Sequence, residues 1–134
     1  MKIITIATTK RNELVDITPQ VNNIIAESKV KDGICLVYVP HATAAITINE
    51  NADPNIADDF LKVLGKMVPE HDNYEHDKID NNAAAHIKAS IIGPGEAVPI
   101  ENRRLALGRW QDIFLCEFDG PRQRKVYIQI VEQK

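Results

Sequence analysis

Residues 34–39, Ile-Cys-Leu-Val-Tyr-Val, form an unbroken apolar run that Pro40 closes. Its length, its β-branched and aromatic content and its flanking Gly33 and Pro40 favour a strand over a buried helix. The absence of polar alternation predicts a central strand covered on both faces. The chain has 134 residues, which suits a single domain, 1–134, able to bury a core without disulfides.

The remaining segments arrange themselves around that strand. Residues 2–8 are rich in Ile and Thr and read as a strand, and 14–17 as a short second one. Thr18-Pro19 predicts a helix start, with Thr as N-cap and Pro in the first turn. Val21, Ile24, Ile25 and Ser28 then recur at helical spacing. Residues 45–49 form a strand with Ile46 and Ile48 on one side and Thr47 and Asn49 on the other. Asp53-Pro54 opens a second helix with the buried stripe Ile56, Phe60, Leu64, Met67 and Val68, ending before Pro69. Residues 70–82 are almost devoid of apolar side chains and read as a long polar loop, a kind of segment that is usually functional. Residues 83–92 form a short helix, and 96–100, 113–118 and 125–131 are strands, the last two joined by a turn at Asp119-Gly120-Pro121. Strands and helices do not alternate as βαβ units. The expected fold is α+β, a mainly antiparallel sheet with two main helices packed on it.

Composition narrows the function. A net charge of -3 argues against a nucleic-acid partner. No apolar run approaches a membrane span, and no leader is visible after Met1-Lys2, so a cytoplasmic protein is expected. Cys35 and Cys116 lie in separate apolar runs and are expected to be buried free thiols. One region is locally basic: Arg103, Arg104, Arg109, Arg122, Arg124 and Lys125. These are either solvated edge and turn residues or a means of capturing a small anion.

All four histidines fall between His41 and His86, in the company of Asn49, Glu50, Asn51, Asp53, Asp72, Glu75, Asp77, Asp80 and Asn82. Imidazoles titrate near neutrality and bind borderline metals, and carboxylates orient them. His41 follows a strand end, His76 lies in the polar loop and His86 near a helix start. Three such imidazoles brought together would suit zinc or a similar divalent ion. Sequence spacing alone gives no helix-face pair, and each histidine taken singly also reads as a surface or hydrogen-bonded residue. Glu50 has no evident capping role and is the candidate general base or histidine orienter, with His76 as its catalytic partner. Asp53 is the expected cap of the second helix. Thr43, Lys88 and Ser90 are candidates for holding an anion at the start of the short helix. Trp110-Gln111 either lines a pocket or sits partly in the core.

His41-Ala-Thr-Ala, Asn49-Glu50-Asn51-Ala-Asp53-Pro54, Ala85-His86-Ile-Lys88-Ala-Ser90, Gly108-Arg109-Trp110-Gln111 and Phe118-Asp-Gly120-Pro-Arg122 occur in this order along nearly the whole chain. In this the chain closely resembles the YjbQ-like family, also called the secondary thiamine-phosphate synthase family. The resemblance implies a compact α+β subunit, a homotrimer with polar pockets near subunit contacts, and weak thiamine-phosphate synthase activity. It places the motif histidines on His41 and His86 and the loop histidine on His76, as a metal or anion site with Glu50 and Asn51 nearby. His71 lies outside the firm motif. Arg109 stands where the family has threonine, and Arg103 where a turn glycine is common, which predicts no need for a positive φ at that turn. The expected function is an enzyme acting on a small phosphorylated molecule, as a thiamine-phosphate synthase-like transferase or a metal-dependent hydrolase. The alternatives are a non-catalytic metal- or anion-binding module and a purely structural trimer.

Overall fold

The computed structural model describes residues 1–134. Eight strands and three α-helices follow in the order β1 (Lys2–Ala7), β2 (Glu13–Asp16), α1 (Thr18–Ser28), β3 (Gly33–Tyr38), β4 (Ala44–Glu50), α2 (Pro54–Met67), α3 (Ala83–Ile92), β5 (Gly95–Glu101), β6 (Arg104–Leu105), β7 (Gln111–Glu117) and β8 (Gln123–Glu132). A single 3-10 turn, Glu75–Lys78, interrupts the polar loop. Every strand pairing is antiparallel. The fold is α+β as expected, but the strands divide into two sheets, one ordered β1-β8-β3-β5-β6 and one ordered β2-β7-β4. The short strand β6 went unread in the sequence, because two residues carry no periodicity.

The main core lies between the sheets and includes Ile6, Cys35, Val37, Val98, Val126 and Ile128 from one and Ala44, Ile46, Ile113 and Leu115 from the other. Helix α1 adds Val21 and Ile25 to this core. Helices α2 and α3 cover the opposite face of the three-stranded sheet, where Leu64, Ala85 and Ala89 meet Ala45, Cys116 and Phe118. Alternate residues of β4 and β7 therefore serve two different cores, as the period of two requires. Cys35 and Cys116 are buried free thiols in separate cores. Burial pushes the Cys35 thiol up to about 11 and raises Cys116 further, so neither is a nucleophile near neutral pH.

Three expectations need correction. Strand β3 is central, but only Cys35 and Val37 are covered; Ile34 is 51% exposed and Leu36 and Tyr38 are each 40% exposed. Both faces are apolar, so the sequence hides the alternation that the sheet imposes. Next, Thr18 lies inside α1 rather than at its N-cap, which is Ile17. Its hydroxyl instead accepts the N–H of Ile113 at 2.8 Å, tying the helix to β7. Asp53 does cap α2, accepting from the N–H of Asn55 at 2.9 Å.

The third correction concerns Arg103. Strands β5 and β6 pair Glu101 with Arg104, which leaves only Asn102 and Arg103 for the turn. Both have positive φ, 51° and 68°, as a two-residue hairpin turn of the type matching strand twist demands. Asparagine tolerates this conformation and arginine does not favour it. Arg103→Gly should therefore raise stability by about 0.5–1 kcal/mol, read as an upward shift of the urea midpoint. No shift, or a fall, would mean that the Arg103 side chain makes a compensating contact.

Candidate functional site

Glu117 and Arg124 form the polar centre of one end of the sandwich. They lie on neighbouring segments either side of the 119–122 turn, with side chains 0% and 2% exposed. Arg124 donates through Nε to Glu117 Oε1 at 2.9 Å and through Nη2 to Oε2. Nη2 also donates to Thr43 Oγ1 at 2.8 Å and to the Thr43 carbonyl at 3.2 Å. Glu117 further accepts from Thr8 Oγ1 at 2.7 Å and from the Asp119 N–H at 3.0 Å. Burial alone would raise the Glu117 pKa, but the Arg124, Asp119 and Thr8 hydrogen bonds outweigh it and hold the carboxyl below its ordinary range. Thr43, a predicted ligand contact, thus spends its hydroxyl on Arg124. Gly120 permits this close packing, because a Cβ there would collide with the Lys10 carbonyl and come within 2.9 Å of Thr8 Oγ1.

His41 sits beside this pair. Its Nε2 accepts the backbone N–H of Lys125 at 2.9 Å, which requires an unprotonated Nε2. Burial, then the charge of Arg124, lowers its pKa, with Glu117 opposing and Arg122 and Lys125 adding to the fall. His41 is therefore held as the neutral imidazole with its Nε2 already engaged.

The charged network continues outward. Arg122 donates to Asp119 Oδ2 at 3.0 Å and to the Asp119 carbonyl at 2.8 Å. Asn82 donates to the same Asp119 Oδ2 at 2.8 Å, and Arg11 approaches Asp119 Oδ1 at 3.5 Å. Arg11 also faces Glu70, which in turn lies 3.9 Å from Lys88 Nζ. The Lys88 side chain is 5% exposed. Its ammonium donates to Asn12 Oδ1 at 3.0 Å and lies 5.8 Å from the Phe118 ring centroid. Burial pushes its pKa below the usual lysine range, with Glu70 pulling it up and Arg11 pushing it down. A buried ammonium with three donors and one close acceptor is incompletely satisfied.

His76 and His86 meet edge to face, ring centroids 4.8 Å apart. His76 Nε2 is buried without a hydrogen-bond partner. Asp80 Oδ2 lies 3.5 Å away without forming a hydrogen bond to it. Lys88 is two positions beyond His86, about 200° round the helix, so it points away from the histidine pair. No three His, Cys, Asp or Glu side chains of one protomer gather so as to hold an ion. Within one protomer the expected centre of His41, His76 and His86 is not assembled: His41 is engaged with β8, while His76 and His86 pair at α3.

The other predicted contacts lie elsewhere. Strand β4 runs from Ala44, paired with Glu117, to Glu50, paired with Gln111. At about 3.3 Å per residue, its two ends are about 20 Å apart. Glu50 rims a crevice of about 20 Å³ with Phe60 and Phe114, room for one water at most. Asn51 donates to Asp16 at 3.2 Å and Asp112 at 2.9 Å, joining β2 to β7. Trp110 is 54% exposed and outside the core, with the Arg109 guanidinium 4.7 Å above its ring. Gln111 accepts the Gly108 N–H at 2.8 Å, closing the loop before β7. Ser90 donates to the His86 carbonyl of its own helix. The α3 N-terminus, read as an anion seat, is met by the Asp77 carboxylate, which accepts from the Ala83 N–H at 2.9 Å.

Sequence reading missed Arg11, Glu70, Glu117 and Asp119 as members of the site, and placed Asn82 only among the polar neighbours of the histidines. One signal was available: Glu117 is a lone charge in the apolar run 113–118, and a charge in a buried strand requires a partner. Arg11 and Glu70 carried no signal, because loops far apart in sequence bring them together.

Two facing antiparallel sheets with two helices, α2 and α3, on one outer side, and a buried ionic cluster at one end, define a small α+β sandwich domain. The chain belongs to the UPF0047 protein YjbQ-like family, whose model matches residues 2–133. It is 50% identical over 129 residues to a UPF0047 protein of Methanocaldococcus jannaschii, covering 96% of this chain and 92% of that one. It is 46% identical to YugU of Bacillus subtilis, covering 98% of each. A crystal structure of a YjbQ/UPF0047 family protein from Clostridium acetobutylicum superposes with a TM-score of 0.94 at 44% identity, over 98% of this chain and 100% of that one. A YbjQ-like protein from Sulfolobus solfataricus gives 0.95 at 38%, over 98% and 96%. No helix is long and apolar enough to cross a membrane.

Proposed function

We propose that this protein is a cytoplasmic enzyme acting on a small phosphorylated molecule at the end of the sandwich that carries Lys88, Arg11, Arg122 and the histidines. The observation that carries this reading is the buried, incompletely satisfied ammonium of Lys88. Proteins keep such a charge desolvated at a cost of several kcal/mol, and a ligand anion would complete its shell. The His76–His86 pair, with one imidazole nitrogen left unpartnered, supplies side chains of the type used for general acid–base work. Thiamine-phosphate synthesis joins a pyrimidine pyrophosphate to a thiazole phosphate with loss of pyrophosphate. That chemistry favours magnesium on oxygen ligands, and the imidazoles here suit it poorly. We therefore take that activity as secondary and phosphate-ester turnover as native.

The homotrimer belongs to the same proposal. Ile3, Ile34, Leu36, Tyr38 and Val131 leave the outer face of the five-stranded sheet apolar and exposed, a surface that association would cover.

Steady-state assay against phosphomonoesters, pyrophosphates and the two thiamine precursors tests the reading. Turnover of a phosphomonoester, reduced at least about 100-fold in His86→Ala, is the expected result. Efficient use of the thiamine precursors at micromolar concentration would make that the native reaction instead. Absence of both binding and turnover for every phosphorylated compound would end the proposal.

One observation favours a second reading, a non-catalytic site for a divalent ion such as zinc. The unpartnered Nε2 of His76 beside His86 offers part of a coordination shell. One protomer supplies too few donors for a closed or catalytic zinc site, so the remaining ligands would come from water or another copy, and no reaction step is assigned to a metal.

A further inference from the structure

We infer that the anionic group of the ligand binds between Arg11 and Lys88, in the place now filled by the carboxylate of Glu70, which acts as an internal competitor. This deepens the phospho-ligand reading above and rests on it.

The contact lengths carry the inference. Arg11 presents Nε and Nη2 to the two oxygens of Glu70, each at 3.4 Å. That is the forked geometry of arginine with a carboxylate, yet about 0.5 Å longer than the roughly 2.7–2.9 Å of a fully formed charged pair. Lys88 stands off from the same carboxylate at 3.9 Å, outside hydrogen-bond reach. Both oxygens of the planar carboxylate face Arg11, and the nearer one lies 3.9 Å from the ammonium, so the carboxylate closes on neither cation. A phosphate group has a third oxygen and further charge, so it meets the fork and the ammonium together.

The charges point the same way. Lys88, Glu70, Arg11, Asp119 and Arg122 form a chain of alternating sign. With Glu70 withdrawn, three cations face one carboxylate, a balance suited to a dianion. Asn82, which shares Asp119 with Arg11, keeps its Oδ1 buried and unpartnered. An acceptor there suits a hydroxyl or amine on the ligand. The ligand class is then a phosphate monoester bearing such a donor.

Glu70 is free to withdraw. It begins the loop between α2 and α3, and its side chain is 31% exposed, so rotation about its own side-chain bonds carries the carboxylate into solvent.

Titration calorimetry with inorganic phosphate and with pyrophosphate tests this on the full chain. If Glu70 fills the site about nine-tenths of the time, Glu70→Gln should bind about tenfold tighter than wild type. Glu70→Ala should behave alike and serves if the first variant folds poorly by circular dichroism. Glu75→Gln, which removes a carboxylate 86% exposed and paired with Lys78, should leave affinity unchanged. Wild-type binding with no gain in Glu70→Gln overturns the competitor and leaves the phospho-ligand reading standing. An equal gain in Glu75→Gln overturns it too, as a general charge effect. Failure of either anion to bind any of these proteins overturns both.

Discussion

Arg124→Met is expected to lower stability by about 3–5 kcal/mol, the range for stranding one partner of a buried ion pair. Methionine has nearly the length of the arginine stem, so packing loss is small and the effect is electrostatic. Glu117 would keep Thr8 Oγ1 and the Asp119 N–H but lose its only countercharge at full burial. Thr43 would lose the donor to its hydroxyl and one of two donors to its carbonyl, which keeps the Phe118 N–H. Urea unfolding followed by circular dichroism measures the change. A second replacement, Glu117→Leu, should restore most of the loss, because apolar substitutes for a buried pair are often neutral or stabilising. A loss under about 1 kcal/mol in the single variant, the size of an exposed pair, would mean that the charges are solvated.

The same pair gives the protein an acid limit. Glu117 has a depressed folded pKa, so its contribution is complete above the unfolded glutamate value. It is lost as pH falls through the folded one. His41 also has a lowered pKa. Its neutral form is the one the fold favours, so its contribution is full above the unfolded histidine value and declines as pH falls below it. Stability should therefore fall in two stages on acidification, and only the first, near neutral pH, should vanish in His41→Ala.

Lys88→Met should separate stability from binding. The change removes a desolvated ammonium and keeps most of its stem against Phe118. Glu70 retains Arg11, so no buried charge is stranded, and stability should hold level or rise by up to about 4 kcal/mol, the range for apolar replacement of buried charges. Affinity for phosphate should fall about 100-fold, the equivalent of about 2.7 kcal/mol. Thermal unfolding and titration calorimetry on the same preparation provide both readings. Unchanged affinity together with a large loss of stability would make Lys88 a structural cation and remove the observation on which the proposed function stands.

Much of this was legible in the residues themselves. Asp53-Pro54 and Pro69 mark the ends of α2 because capping and proline chemistry act within a few residues. The stripes of α1 and α2, apart from Ser28 and Met67, which the structure leaves exposed, and the alternation of Ile46 and Ile48 with Thr47 and Asn49, name their buried faces for the same local reason. The sequence also singled out the segment from His41 to His86 as unusual. It did not show which of those side chains meet. Glu50, Asn51, Trp110 and Gln111 share a family pattern with His41 and Thr43, yet β4 sets them about 20 Å apart.

Local chemistry by itself determined the three helices, all strands but β6, the ends of α2, the antiparallel α+β class and the buried state of both thiols. Only the tertiary structure decided that there are two sheets, that one face of β3 is bare, and that Arg103 turns through a positive φ. It alone joined Arg11 to Glu70 and Lys88, and Arg124 to Glu117 and Thr43. The reason is one of range: capping, periodicity and helix propensity act over a few residues, whereas pairing of distant charges depends on where the folded sheets carry their loops.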